Sequence, residues 1–89
     1  MGNDIWNVYI IKCRDGKLYV GIAQDVEKRV KLHNKGLACR FTKYRNPVIL
    51  LYQEAHDSKS SARLREIEIK GFSQKKKLEI IFKVPKFTL

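Results

Sequence analysis

The feature that most constrains the fold is an Asp-Gly turn between two β-rich segments near the start of the chain. Residues Ile5–Cys13 are rich in Trp, Val, Tyr and Ile, and Leu18–Ala23 resumes that composition after Arg14-Asp15-Gly16-Lys17. Aromatic and β-branched residues favour strands, and Asp-Gly favours a tight reversal. The pattern therefore predicts a β-hairpin.

The rest of the chain alternates between helical and extended patterns. Asp25 is a suitable N-cap for a helix over 26–35 that Gly36 ends, and the polar, basic segment 37–46 is irregular. Residues 47–54 predict a third strand, because Val48–Tyr52 is a continuous apolar run, which is typical of a strand covered on both faces. Asp57-Ser58 and Ser73 are candidate caps of two further helices, ending near residues 71 and 82.

The predicted fold is therefore α+β, a small three-stranded antiparallel sheet flanked by helices in the order β-β-α-β-α-α. The 89 residues have room for one domain. We assign this domain to residues 1–84 and expect a loose tail at 85–89, because Pro85 breaks the regular pattern.

Charge is the most informative part of the composition. Nineteen Lys and Arg against nine Asp and Glu give a net charge of +10. This bias favours a polyanionic partner, nucleic acid first and an anionic membrane surface second, although plain solubility explains the charge alone equally well. No apolar run is long enough to span a membrane, and the first four residues do not resemble a secretory signal. Cys13 and Cys39 form no metal-binding spacing, so we expect a cytoplasmic protein with reduced thiols.

Two positions in the first predicted helix are unusual. At 100° per residue, Val26, Val30 and Leu32 define an apolar arc, and Arg29 and His33 fall inside it. A buried Arg must be paired or must serve a site. The alternative is a snorkelling Arg beside a hydrogen-bonded, partly buried His.

The second helix raises a similar question at Glu66, which flanks an apolar face. A carboxylate at this position suits a hard cation such as Mg²⁺. The alternative is an ion pair with Arg63 or Lys70 on a solvated face. Glu68 lies far around the helix and is a weaker candidate.

Together these residues resemble the GIY-YIG nuclease superfamily, particularly its small bacterial members. Asn7-Val8-Tyr9 and Tyr19-Val20-Gly21 resemble the two motifs that name the superfamily, and Arg29, ten residues after Tyr19, resembles its helix arginine. Arg29-x-x-x-His33-Asn34-x-Gly36, the basic segment from Thr42 to Pro47 and Ala62-Arg63-Leu64-Arg65-Glu66 extend the resemblance over nearly the whole chain. Two positions depart from the pattern, because Asn7-Val8 replaces Gly-Ile and Ile22 stands where excision-repair nucleases often have Lys.

The resemblance implies a metal-dependent nuclease that hydrolyses phosphodiester bonds in nucleic acid, with DNA the first candidate. Tyr9 or Tyr19 would deprotonate or orient the attacking water, and Arg29 would bind the scissile phosphate. Glu66 would hold one divalent cation, Mg²⁺ first and Mn²⁺ second, and His33 would support the phosphate or the water. We expect no small-molecule cofactor. The alternative is a binding module with the same fold and little activity.

Basic residues outside these motifs are candidates for backbone contacts. No base-reading motif is present, so we expect recognition of backbone and shape, with salt-sensitive affinity. The lysine run in the third helix is equally well explained as a solvated face. The candidate residues are Arg40, Lys43, Arg45, Lys70, Lys75, Lys76 and Lys77.

The hairpin register decides whether the two tyrosines share a site, because side chains alternate across a strand. A two-residue turn, which Asp-Gly favours, places Tyr9 opposite Ile22 and the tyrosines on opposite faces. A three-residue loop places Tyr19 opposite Ile11 and both tyrosines on one face. The resemblance requires a shared face, so we predict a three- or five-residue loop with Gly16 at positive φ. Tyr9, Tyr19, Arg29 and Glu66 should then line one shallow basic cleft.

Overall fold

The computed structural model describes residues 5–83, which contain six regular elements in the predicted order. The α+β class and the order β-β-α-β-α-α are confirmed. The predicted end of the domain at residue 84 and the tail at 85–89 lie outside the described residues. Every helix within 5–83 is too short or too polar to cross a membrane. The elements are β1 (Trp6–Lys12), β2 (Leu18–Ala23), α1 (Val26–Asn34), β3 (Ile49–His56), α2 (Lys59–Lys70) and α3 (Gln74–Ile81).

The sheet is antiparallel with strand order β2-β1-β3, so β1 is central. Tyr9 and Ile11 of β1 pack with Val26 and Val30 of α1 on one side, which we call the α1 face. Val8 and Ile10 of β1 pack with residues of α2 and α3 on the other side, the α2 face. Because both faces are covered, residues 8–11 are at most 1% exposed.

The hairpin has the register of a three-residue loop. Ile11 is opposite Tyr19, and Tyr9 is opposite Gly21. The Cys13 N–H donates to the Lys17 carbonyl at 2.8 Å, and Gly16 has φ +87°. This confirms the predicted loop and positive φ, and it places both tyrosines on the α1 face.

The third strand differs from its prediction. It runs from Ile49 to His56 and lies at an edge of the sheet, and Ile49 and Leu50 are 60% and 39% exposed. The expectation that this strand is covered on both faces was wrong. The strand that is covered on both faces is β1. It lies in the centre of the sheet because it pairs with both β2 and β3, whereas in the part of the chain that the structure describes β3 pairs with β1 alone and has one free edge.

Side-chain caps fix where the helices begin. Asp25, Ser58 and Ser73 are the N-caps of α1, α2 and α3, and each side chain accepts a hydrogen bond from a backbone N–H three residues later. Such caps satisfy donors that have no partner within the helix. After α1, Gly36 has φ +73°, a conformation that favours glycine.

A polar cluster on the α2 face ties α2 to β3. The Glu54 carboxylate accepts hydrogen bonds from Tyr52, from His56 Nε2 at 2.7 Å and from Arg65 Nε at 2.9 Å. Burial alone would raise the pKa of Glu54, but these hydrogen bonds hold it below its ordinary value. The cluster therefore fixes the position of α2, the helix that carries Glu66.

Candidate active site

Tyr9, Tyr19 and His33 meet on the α1 face. The tyrosine ring centroids are 6.4 Å apart, and the Tyr19 and His33 centroids are 5.3 Å apart. The Tyr9 hydroxyl lies 2.8 Å from His33 Nε2. The hairpin register brings the tyrosines together, and α1 supplies the histidine from its apolar side.

Gly21 allows the Tyr9 ring to lie across β2. A Cβ atom at this position would be 2.6 Å from the Tyr9 hydroxyl oxygen and 2.8 Å from Tyr9 Cζ. Any larger residue would therefore displace the phenol. This contact gives a structural reason for the glycine that ends the Tyr19-Val20-Gly21 motif.

His33 links Tyr9 to Thr42, a residue of the loop 37–46. The Thr42 hydroxyl lies 2.7 Å from His33 Nδ1 and 3.4 Å from Cys39 Sγ, and Thr42 is fully buried. Burial, with the nearby charge of Arg29, lowers the pKa of His33 to about 4. The imidazole is therefore neutral at pH 7, with one nitrogen donating and the other accepting.

The hydrogen-bond partners assign the tautomer. Burial raises the pKa of Tyr9 to about 12, against the opposing charge of Arg29, so the phenol keeps its proton. We assign its O–H as the donor to Nε2 and the Nδ1–H as the donor to Thr42, whose hydroxyl then donates to Cys39. The Nε2 atom of His33 is therefore unprotonated and accepts the hydrogen bond from the Tyr9 hydroxyl.

Arg29 supplies positive charge at this cluster. Its Nη1 donates to the Ile22 carbonyl at 3.4 Å, and its charge lowers the pKa of both Tyr9 and His33. Because the contact with the Ile22 carbonyl is long and a guanidinium has five N–H donors, Arg29 retains donors for an anionic ligand. The placement of Arg29 inside the apolar arc of α1 therefore reflects its position beside the tyrosine and the histidine.

Glu66 is on α2 and influences the two tyrosines through its charge. Burial is the main reason that the pKa values of Tyr9 and Tyr19 are raised, and the negative charge of Glu66 raises them further. Its side chain is 17% exposed, and it forms an ion pair with Lys70 at 3.2 Å, the pairing that sequence left open. No group of three or more His, Cys, Asp or Glu side chains gathers as a metal site within residues 5–83. One carboxylate suits Mg²⁺, which keeps several waters and takes oxygen ligands from substrate phosphates.

The predicted basic residues do not converge as one surface. Arg40 and Lys43 are exposed in the loop 37–46 beside the site. Arg45 is engaged within the structure, since it pairs with Asp15 at 3.0 Å and donates to the Phe41 carbonyl at 2.7 Å. Lys70 pairs with Glu66, as described above. The lysine run 75–77 lies on α3, which packs on the α2 face, away from Tyr9 and His33.

Two residues of the site were not predicted. Thr42 is a short polar residue among basic ones, and only the tertiary fold reveals its contact with His33. Asn7, noted only as a departure from the motif, is 8% exposed and donates to the carbonyls of Ala23 and Gln24 at 3.3 and 3.1 Å. It thereby fixes the turn from β2 into α1, and the signal was a polar residue in a strand that is otherwise apolar.

Comparison with known proteins agrees with this arrangement. Residues 5–79 match the model of the GIY-YIG catalytic domain. The chain therefore belongs to the GIY-YIG family, a nuclease superfamily whose domain implies a nucleic-acid substrate.

Similar proteins carry the name UPF0213. The chain is 55% identical over 74 residues to a UPF0213 protein of Staphylococcus saprophyticus, covering 83% of this chain and 90% of that protein. It is 53% identical, with the same coverage, to a UPF0213 protein of Staphylococcus aureus. The solution NMR structure of a UPF0213 protein from Bacillus halodurans matches with a TM-score of 0.56 and 36% identity, covering 86% of this chain and 82% of that one.

Proposed function

We propose that this protein is a metal-dependent endonuclease that hydrolyses phosphodiester bonds in nucleic acid, with DNA the first candidate. The observation that carries the proposal is the buried chain from Tyr9 through His33 to Thr42, next to Arg29. Hydrolysis needs a base for the attacking water and positive charge for the phosphoryl oxygens. This chain of residues offers both.

Tyr9 and His33 would act together as the base. A water held at the Tyr9 oxygen gives its proton to that oxygen while the phenol proton moves to His33 Nε2. The result is a hydroxide nucleophile, a neutral phenol and an imidazolium. The negative charge of a bound phosphate would raise the low pKa of His33 and favour this transfer. Tyrosinate is never required, which suits the high pKa of Tyr9.

Arg29 would bind the scissile phosphate, and Tyr19 would line the site opposite it. A guanidinium is permanently charged, and its fork of donors matches two phosphoryl oxygens. Tyr19 is partly exposed and its ring lies between His33 and Phe41, so it would orient the substrate or the water. Burial first and then contact with Cys39 raise the pKa of Tyr19. We assign the base role to Tyr9 because its hydroxyl contacts His33 Nε2, which would take up the proton.

Glu66 would hold one divalent cation, Mg²⁺ first and Mn²⁺ second, after releasing Lys70. Bound there, such an ion would supply charge for the phosphoryl oxygens and lower the pKa of a water ligand. Lys70 would then be free to contact the nucleic-acid backbone.

Recognition would depend on backbone and shape. Arg40 and Lys43 are exposed beside the site, and we assign them the contacts nearest to the cleaved bond. Arg45 would act through the loop that it holds in place. Lys75, Lys76 and Lys77 would form a second, separate contact, since α3 packs on the other face of the sheet.

A second candidate function is a nucleic-acid-binding module without cleavage. The Glu66–Lys70 ion pair favours it, because a carboxylate that stays paired with lysine is not available to a cation. The two candidates share a fold and differ in whether Glu66 is needed for turnover.

A cleavage assay with matched variants of α2 separates the candidates. Branched, nicked and single-stranded DNA are incubated with the protein and Mg²⁺, Mn²⁺ or EDTA. We expect Glu66→Ala to fold and bind DNA but not to cut, while Glu68→Ala, two residues along the same helix, still cuts. A folded Glu66→Ala protein that cuts at the wild-type rate would remove Glu66 from the mechanism. Wild-type protein that binds DNA but never cuts would establish the binding module.

A further inference from the structure

The loop 37–46 beside the site exposes apolar side chains. Tyr44 is 78% exposed, Leu37 is 71% exposed and Phe41 is 36% exposed. Single exposed apolar residues are ordinary on protein surfaces. Tyr44 differs from the ordinary case in three respects, which are its fixed backbone, its position next to the site and the charge beside its ring.

The backbone around Tyr44 is held against the hairpin turn. Arg14 donates from Nη2 to the Tyr44 carbonyl at 3.3 Å, and its N–H donates to the Arg45 carbonyl at 2.8 Å. The Arg45 side chain donates to Asp15 at 3.0 Å and to the Phe41 carbonyl at 2.7 Å. The exposed ring therefore projects from an ordered segment, so little backbone entropy is lost when a ligand stacks on it.

The same loop forms part of the site. The Phe41 ring stacks on Tyr19, with centroids 5.7 Å apart and an angle of 26° between planes, and Thr42 binds His33. Tyr44 follows Thr42 by two residues, so their Cα atoms are at most about 8 Å apart. Stacked nucleotides rise about 3.4 Å along one strand, so a base on Tyr44 would lie within a few nucleotides of a phosphate bound at the proposed site.

The charge beside the ring matches a nucleotide. The Lys43 ammonium lies 5.4 Å from the Tyr44 ring centroid, and Arg40 is exposed in the same loop. An aromatic face beside a cation accommodates a base together with its phosphate, as in proteins that bind single strands. Inside a duplex, neighbouring base pairs cover the base faces, so away from the duplex ends Tyr44 has a stacking partner only where a base is unpaired.

We infer that Tyr44 is a stacking site for an unpaired base near the cleaved bond, so the substrate contains single-stranded nucleotides there. This inference rests on the proposed function, because it names the substrate class of the same site. Stacking on Tyr44 would add to the backbone contacts proposed above. Because every base has an aromatic face, this contact would tolerate any sequence.

Binding measured in EDTA tests the inference without cleavage. Affinities of wild type, Tyr44→Ala and Tyr44→Phe are compared for a fluorescent single-stranded 15-mer and for a blunt duplex of that sequence. Stacking is worth about 1–3 kcal/mol per base, so Tyr44→Ala should bind the single strand about 5- to 150-fold more weakly. Duplex affinity should not change, and Tyr44→Phe should retain single-strand binding.

Two control variants separate stacking from other effects. Phe82→Ala removes another exposed ring, 63% exposed at the end of α3, and should change neither affinity. Lys43→Ala should weaken binding to both oligonucleotides and reduce the salt slope by about one, whereas Tyr44→Ala leaves the slope unchanged.

Each outcome of the comparison has a definite meaning. The inference is overturned if Tyr44→Ala binds the single strand as wild type does, or loses the same factor on both oligonucleotides. It is also overturned if wild type binds neither. A protein that shows the Tyr44 effect in EDTA but never cuts in Mg²⁺ would refute the proposed nuclease and leave the stacking site established.

Discussion

Replacing Thr42 by Val tests whether the buried hydrogen-bond chain sets the tautomer of His33. The change removes the hydroxyl 2.7 Å from Nδ1 and nearly preserves the side-chain shape. Without an acceptor at Nδ1, the ring should move its proton to Nε2 and donate to the Tyr9 oxygen. Such a histidine no longer accepts the proton of Tyr9.

The expected magnitudes follow from this single lost contact. A buried polar group without its partner costs about 1–3 kcal/mol, so the melting temperature should fall by roughly 5–15 °C. General-base catalysis contributes about 10²–10⁴-fold, and most of this factor should disappear from kcat, while KM stays near the wild-type value. Thermal melts and single-turnover cleavage over a range of pH measure the two effects.

Thr42→Ser is the matched control, because it keeps the hydroxyl and removes only a methyl group. We expect it to lose about 1 kcal/mol of stability from the small cavity and to cut almost as fast as wild type. If Thr42→Val and Thr42→Ser cut at the same rate, the hydroxyl does not control His33 and the reasoning is refuted.

Two further predictions address the packing and the charge of the site. Gly21→Ala should destabilise the protein by about 1–3 kcal/mol and slow cleavage at least tenfold, because its Cβ would be 2.6 Å from the Tyr9 oxygen. Denaturant titration measures the stability and single-turnover cleavage the rate, and an unchanged rate would contradict this prediction. The pKa of His33 is about 4 in the folded protein and 6.5 in the unfolded chain, so the unfolded chain takes up the proton first as the pH falls. The free energy of unfolding should therefore fall by about 2 kcal/mol from pH 7 to pH 5. Urea titrations at both pH values should show this loss in wild type and a smaller one in His33→Gln, and equal losses would contradict the low pKa.

The hairpin illustrates what sequence alone determined. Turn chemistry at Asp15-Gly16 favoured a two-residue turn, and the requirement for both tyrosines on one face favoured a longer loop. The structure has the longer loop, with Gly16 at φ +87°. The local preference was overruled because the register must also bury Tyr9 and Ile11 against α1. A functional constraint therefore predicted the register better than the turn signal did.

The third strand illustrates what sequence alone did not determine. An uninterrupted apolar run predicts burial but carries no information about strand order. The central strand β1 contains Asn7 and Tyr9, whose polar groups are satisfied inside the protein, by backbone carbonyls and by His33. Despite these polar residues, β1 is more buried than β3.

The positions of the candidate site residues could be predicted from sequence only within the regular elements. Residues with a helical or strand position, such as Tyr9, Arg29 and His33, have a predictable direction once the elements are assigned. Thr42 lies in an irregular loop, where no periodicity relates sequence position to side-chain direction. Its contact with His33 is visible only in the tertiary structure.

The most direct test of the central claim is the single-turnover rate of DNA cleavage by Tyr9→Phe and Tyr19→Phe. Tyr9 is the residue that we assign as the donor to His33 Nε2, the proposed base, so Tyr9→Phe should cut about 10²–10⁴-fold more slowly than wild type. Tyr19→Phe should lose much less, because its hydroxyl has no part in the proton transfer. Circular dichroism confirms that both variants are folded. A folded Tyr9→Phe protein that cuts at the wild-type rate, or a larger loss in Tyr19→Phe, would contradict the proposed chemistry.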